Sequence, residues 1–108
     1  TVTGQGMGTL AYIAPEQATD AKRIGGAADL YSLGATLYHL LAGRAPFVIK
    51  TVEIIFEIIN RSPDPVSAHR PDCPPALAEL VHDLLAKDPD ERPPEARGVV
   101  AALEAMLS

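Results

Sequence analysis

Apolar residues along this chain recur at steps of three and four rather than two. Leu30, Leu33, Leu37, Leu40 and Leu41 follow that step, with Tyr31 and Tyr38 seven apart. The period predicts a helix near Gly26 to Ala42, with an apolar surface wide enough for burial on more than one side. Gly43 stops it and Pro46 prevents its resumption. Thr51 is placed to cap a second helix, whose apolar face comes from Val52, Ile54, Ile55, Phe56, Ile58 and Ile59. β-branched residues make a strand the competing reading there, but the length and the Glu53/Glu57 spacing of four favour a helix.

Residues 62–75 hold five prolines and read as a rigid irregular connection. Leu77, Leu80, Val81, Leu84 and Leu85 mark a third long helix. A turn from Lys87 to Pro94 leads to a fourth, with Val99, Val100, Leu103, Met106 and Leu107 on its inner face. Before all of these, Thr1 to Thr9 is small, polar and glycine-rich, which reads as a loop. Ala11 to Ala18 follows, with Pro15 suited to the first turn of a helix. No internal repeat is evident. The pattern predicts one all-helical domain behind an N-terminal loop.

Composition narrows the function classes. Apolar residues make up 47% of 108, which supplies a core. Net charge is −5, and no cluster of Lys and Arg appears, which argues against nucleic-acid binding through a basic face. The apolar stretch from Leu33 to Ala42 is roughly half the ~20 residues that span a bilayer, so no membrane crossing is expected within the chain. No positively charged leader precedes Thr1, so no signal or transit peptide is expected. A lone cysteine, Cys73, suits a reducing cytosol and reads as an inert loop residue. His39, His69 and His82 fall on different elements without metal-ligand spacing, so no metal site is expected; His39 reads as a packed or rim residue of the first long helix.

Three separated segments carry a resemblance. Gly8-Thr9-Leu10-Ala11-Tyr12-Ile13-Ala14-Pro15-Glu16-Gln17 is similar to the end of a protein kinase activation segment, closing in its Ala-Pro-Glu triplet. Asp29-Leu30-Tyr31-Ser32-Leu33-Gly34 resembles the start of the central helix of a kinase C-lobe. Lys87-Asp88-Pro89-Asp90-Glu91-Arg92-Pro93 resembles the turn before that lobe's last helix. One tripeptide would be weak, but three motifs in the family's order and spacing make a strong match. Gln17 and Leu41-Ala42-Gly43-Arg44-Ala45-Pro46-Phe47 look most like bacterial serine/threonine kinases of eukaryotic type.

The resemblance implies an all-α chain that forms the helical C-lobe of the α+β protein kinase-like fold. The activation segment would occupy about residues 1–19 and the C-lobe helices about 26–107. The chain has no glycine-rich phosphate loop, Val-Ala-Ile-Lys, His-Arg-Asp or Asp-Phe-Gly, so the N-lobe and catalytic loop are missing from it. The implied parent is a cytoplasmic serine/threonine protein kinase, or one on the cytoplasmic side of a membrane-anchored protein, using ATP and Mg²⁺ on protein substrates. The chain alone is expected to bind neither cofactor, to be inactive, and to partner the rest of its own kinase domain. The alternative is a natural non-catalytic kinase remnant acting as a protein-binding or decoy module.

Residue roles follow from the same resemblance. Glu16 and Arg92 would pair, since a guanidinium and a carboxylate fit bidentately. Asp29 would accept backbone N–H groups from the missing catalytic loop. Thr9 would lie beside that loop's aspartate and lysine. Met7, Gly8, Leu10 and Tyr12 would line the substrate wall with it, and Thr1 and Thr3 would be regulatory phosphorylation sites, Thr3 the better candidate. One departure is Ala27, which stands where relatives carry an arginine and cannot make that arginine's contacts. A central helix left ~300 Å² uncovered forfeits several kcal/mol at ~25 cal/mol per Å², so the isolated chain is expected to be marginally stable.

Overall fold

The computed structural model describes residues 12–19, 25–48 and 51–107, and among them every regular element is helical. α1 is Pro15–Thr19, α2 Gly26–Ala42, α3 Glu53–Asn60, α4 Val66–His69, α5 Pro75–Leu84 and α6 Ala96–Leu107, with a 3₁₀ turn at Pro89–Glu91 before α6. The described residues form an all-helical arrangement, as the three- and four-residue steps predict.

α2 is the spine. It packs against α5, against the short α4 and against the 3₁₀ turn, while α1 packs on α3 and α5 on α6. Its bounds match the periodicity, and the reason for its end is local. Gly43 takes φ 79°, the left-handed region in which a Cβ would be strained, and its N–H donates to His39 O at 2.9 Å. Proline opens α5 at Pro75, where the missing N–H costs nothing. At α3 the Thr51 hydroxyl accepts from Glu53 N at 3.3 Å. The stretch with competing strand character is a helix, because period-four burial of Ile54 and Ile58 against Phe47 is available and no partner strand occurs among the described residues.

Three apolar clusters divide the interior. Ala14, Tyr31, Ala35, Tyr38, Val66, Val81 and Leu85 form the largest, between α1, α2, α4 and α5. Phe47, Ile54 and Ile58 form the second, under α3. Leu30, Leu80, Leu84 and Val99 join α2, α5 and α6.

The structure differs from the periodicity in four places. Residues 62–75 are not wholly irregular, since Val66–His69 makes one helical turn. Val66 is fully buried there, its N–H donates to His82 Nε2 at 3.0 Å, and the Tyr38 hydroxyl donates to Asp64 O at 2.7 Å. Burial holds His82 below its ordinary pKa, consistent with a neutral ring accepting that bond. On α6 only part of the expected face turns inward: Val99 is buried and Leu103 partly so, while Val100 and Met106 are exposed. α6 has α5 as its main neighbour among the described residues, so its buried stripe is narrow. On α3, Val52 and Phe56 face solvent for the same reason. On α2, Leu33 and Leu40 are exposed, so the apolar surface is wider than the part covered.

α2 and α5 cross closely at Gly34. A Cβ built there would lie 2.6 Å from Leu84 Cβ, inside any real contact. Gly34→Ala is therefore expected to destabilise the chain by about 1–3 kcal/mol in a urea melt, despite the ~1 kcal/mol by which alanine favours a helix. A neutral or stabilising result would show that the helices can part at no cost.

Candidate functional site

The site grows from Arg92, which follows the 3₁₀ turn and is 4% exposed. An arginine carries five N–H donors in a fixed fork, and burial demands an acceptor for each. All five are met. Nη1 donates to Glu16 Oε2 at 2.7 Å and to Ala27 O at 2.8 Å. Nη2 donates to Glu16 Oε1 at 2.8 Å and to Lys87 O at 3.3 Å. Nε donates to Ala86 O at 2.8 Å. The pair is bidentate and joins residues 76 apart in sequence. The guanidinium also lies 5.0 Å from the Tyr31 ring centroid, over its face.

The surroundings register this charge. Tyr31 is fully buried, and its hydroxyl has no partner among the described residues. Burial pushes that phenol up to about 12; Arg92 opposes the rise and Glu16 adds to it. Burial, helped by Arg92, pushes the Lys87 ammonium down to about 8. Lys87 Nζ donates to Ile58 O and sits 4.7 Å from the Phe47 ring centroid, which fastens the end of α3 to the same turn.

Tyr12, beside this centre, touches both the first and second apolar clusters. Its carbonyl accepts from Ser32 Oγ at 2.8 Å. Its hydroxyl is hydrogen-bonded to His39 Nδ1, and the two rings stack 6.0 Å apart at 4°. Tyr12, Thr36, His39 and Leu40 line an open cleft of about 300 Å³.

Among the residues singled out from sequence, the structure brings Glu16 and Arg92 together. Asp29 lies exposed in the first turn of α2, its N–H donating to Gly25 O at 3.1 Å. Thr1, Thr3, Met7, Gly8, Thr9 and Leu10 lie outside the described residues. Sequence reasoning missed Tyr31, Ser32, the bond of His39 to Tyr12 and the carbonyls of Ala27, Ala86 and Lys87; it did read His39 as a packed or rim residue. Only the helical step from Ser32 to His39, which puts both on the side of α2 that meets Tyr12, offered a signal. The Ala27 departure leaves its main chain in use, because the Ala27 carbonyl accepts from Arg92 whatever the side chain.

No group of three or more His, Cys, Asp or Glu gathers among the described residues in a way that could hold a metal ion. The described residues alone do not supply the donor set of an ATP–Mg²⁺ site.

Two outcomes test the centre. Arg92→Ala removes the bidentate guanidinium partner of the buried Glu16 carboxylate and is expected to cost about 3–5 kcal/mol in a denaturant melt of the full-length protein. A loss near zero would count against a buried pair. Tyr31→Phe keeps the ring under Arg92 and removes an orphaned hydroxyl, so stability should hold or rise by about 1 kcal/mol. A loss above about 1 kcal/mol by the same melt would reveal a bond to that hydroxyl.

The protein kinase domain family matches residues 2–103 of the chain. The chain is 40% identical over 94 residues to a probable serine/threonine-protein kinase, PkwA, of Thermomonospora curvata, covering 86% of this chain and 12% of that protein. It is 37% identical over 93 residues to serine/threonine-protein kinase PknB of Mycolicibacterium smegmatis, covering 85% and 15%. It is 35% identical over 111 residues to PknA of Corynebacterium glutamicum, covering 98% and 22%. The chain thus spans between 12% and 22% of the length of these three relatives. A match over nearly all of its residues, to bacterial serine/threonine kinases, means that the chain belongs to the protein kinase domain family.

Proposed function

We propose that the whole protein transfers the γ-phosphoryl group of ATP to serine or threonine of protein substrates, and that these residues supply its activation segment and substrate platform. Residues from about 1 to 19 act as the activation segment, and those from about 26 to 107 as the helical C-lobe. The observation that carries the reading is the Glu16–Arg92 pair. It ties the Ala14-Pro15-Glu16 segment to the head of α2 and the turn before α6, as a segment that must hold a substrate against a rigid base requires. In this reading Met7, Gly8, Thr9, Leu10 and Tyr12 face the substrate, and Thr9 adjoins the catalytic loop. Thr1 and Thr3 take regulatory phosphate, and Asp29 supports that loop. ATP and Mg²⁺ belong to the parent protein. The exposed Leu33 and Leu40 are consistent with an α2 that the rest of the kinase domain covers.

Radiolabelled γ-phosphate transfer to a serine/threonine protein substrate tests this directly. The full-length protein should incorporate label, and the 108-residue chain alone should not. Thr9→Ala in the full-length protein should lower turnover by at least tenfold, about 1.4 kcal/mol of transition-state stabilisation. Incorporation by the 108-residue chain alone would overturn the platform reading. A full-length protein without transfer, but able to hold kinase substrates, would favour a non-catalytic binding module instead.

A further inference from the structure

A cleft of about 220 Å³ lies between the segment after α2 and the segment after α3, away from the Glu16–Arg92 centre. Arg44 enters it from the first segment; Arg61, Ser62 and Asp64 enter from the second, and His69 from α4. The chain has only 9 Lys and Arg against 14 Asp and Glu, yet two arginines from different elements line this one cleft. Arg44 has no carboxylate partner among the described residues. Arg61 gives Nη1 to Glu57 Oε1 at 3.1 Å, and the rest of its guanidinium has no partner among the described residues. Asp64, the one carboxylate of the lining, lies 3.7 Å from His69 Nε2, which offsets its charge when protonated.

The walls are held in place before any ligand arrives. The Tyr38 hydroxyl donates to Asp64 O at 2.7 Å, and Pro46 and Phe47 are buried. Restricted proline backbones at Pro46 and Pro63 limit the motion of both segments.

We propose that this cleft binds a phosphorylated serine or threonine side chain of a protein. A carboxylate has two oxygens, and a single guanidinium satisfies both, as Arg92 does for Glu16. Two arginines from separate segments, with Ser62 in the same lining, offer more donors than a carboxylate needs and suit an anion with three free oxygens, which a phosphate monoester provides. The apolar part of the lining, Pro46, Phe47 and Val48, suits the chain that carries the phosphate better than it suits a free ion. The test of this site does not depend on the proposed phosphoryl-transfer reading.

The test uses the full-length protein and a fluorescein-labelled Ala-Ala-phosphoserine-Ala-Ala peptide, with fluorescence anisotropy as the readout. Saturable binding is expected, with none to the unphosphorylated peptide and weakening as salt rises. Arg44→Ala and Arg61→Ala should each lose about tenfold in affinity, the scale for removing a charge-assisted hydrogen bond. Arg44→Lys should lose part of that, because it keeps charge without the fork. Glu57→Gln, which frees Arg61, should tighten binding. Coincident thermal melts of the variants and the parent exclude misfolding as the cause, both arginines being exposed. Equal binding of the unphosphorylated peptide, or an affinity untouched by the two arginine variants, would overturn the proposal. So would inorganic phosphate displacing the label as well as free phosphoserine does, since the cleft would then take the ion alone.

Discussion

Removing a guanidinium from water costs several kcal/mol, and a fold can hold one inside only by presenting an acceptor to every donor. Arg92 sets that requirement here, and the acceptors come from three places far apart in the chain. Glu16 arrives on α1, the Ala27 carbonyl from the head of α2, and the Ala86 and Lys87 carbonyls from the turn after α5. None of the three can shift without orphaning a donor. The arginine therefore fixes the relative position of α1, α2 and the turn more strictly than apolar contact could, because apolar contact is non-directional. Its neighbours are buried with it: burial, helped by Arg92, pushes the Lys87 ammonium down, and the Tyr31 phenol lies under the guanidinium with no hydrogen-bond partner among the described residues.

α2 transmits this constraint. Gly34 lets α5 approach closely enough for Leu84 to fill the space of an absent side chain. One turn further on, Tyr38 reaches Asp64 and stands edge-on to His69 and His82, which draws the proline-rich connection onto the helix. The same helix carries Ser32 and His39 to Tyr12. One element thus orders the segment that runs from Tyr12 into α1, the connection after α3 and the packing of α5. No helix is long and apolar enough among the described residues to cross a membrane.

Much of this architecture was legible before any coordinates. Helical steps located α2, α3, α5 and α6, and the end of α2 followed from Gly43. Glu16 and Arg92 were legible as partners only through their motifs. Two charged residues 76 apart carry no local signal, and nothing in their composition separates them from the chain's other charges. The missed features are those that local pattern cannot encode. Val66 to His69 is one turn within a run of prolines, too short for a period to register, and it is helical because Val66 has a cavity to fill.

What the sequence determined by itself was which residues can line one face and where each helix must stop, since both follow from the 3.6-residue repeat and from backbone limits at glycine and proline. What only the tertiary structure decided was which part of each face is covered. Val99 and Val100 are equally apolar neighbours, yet one is sealed and the other open. Leu30 is buried and Leu40 exposed on the same helix. Burial depends on the number and placement of neighbouring elements, and partners for a buried charge depend on where distant carbonyls arrive. Both are properties of the assembled chain, because hydrophobic and electrostatic energies act through space rather than along the sequence.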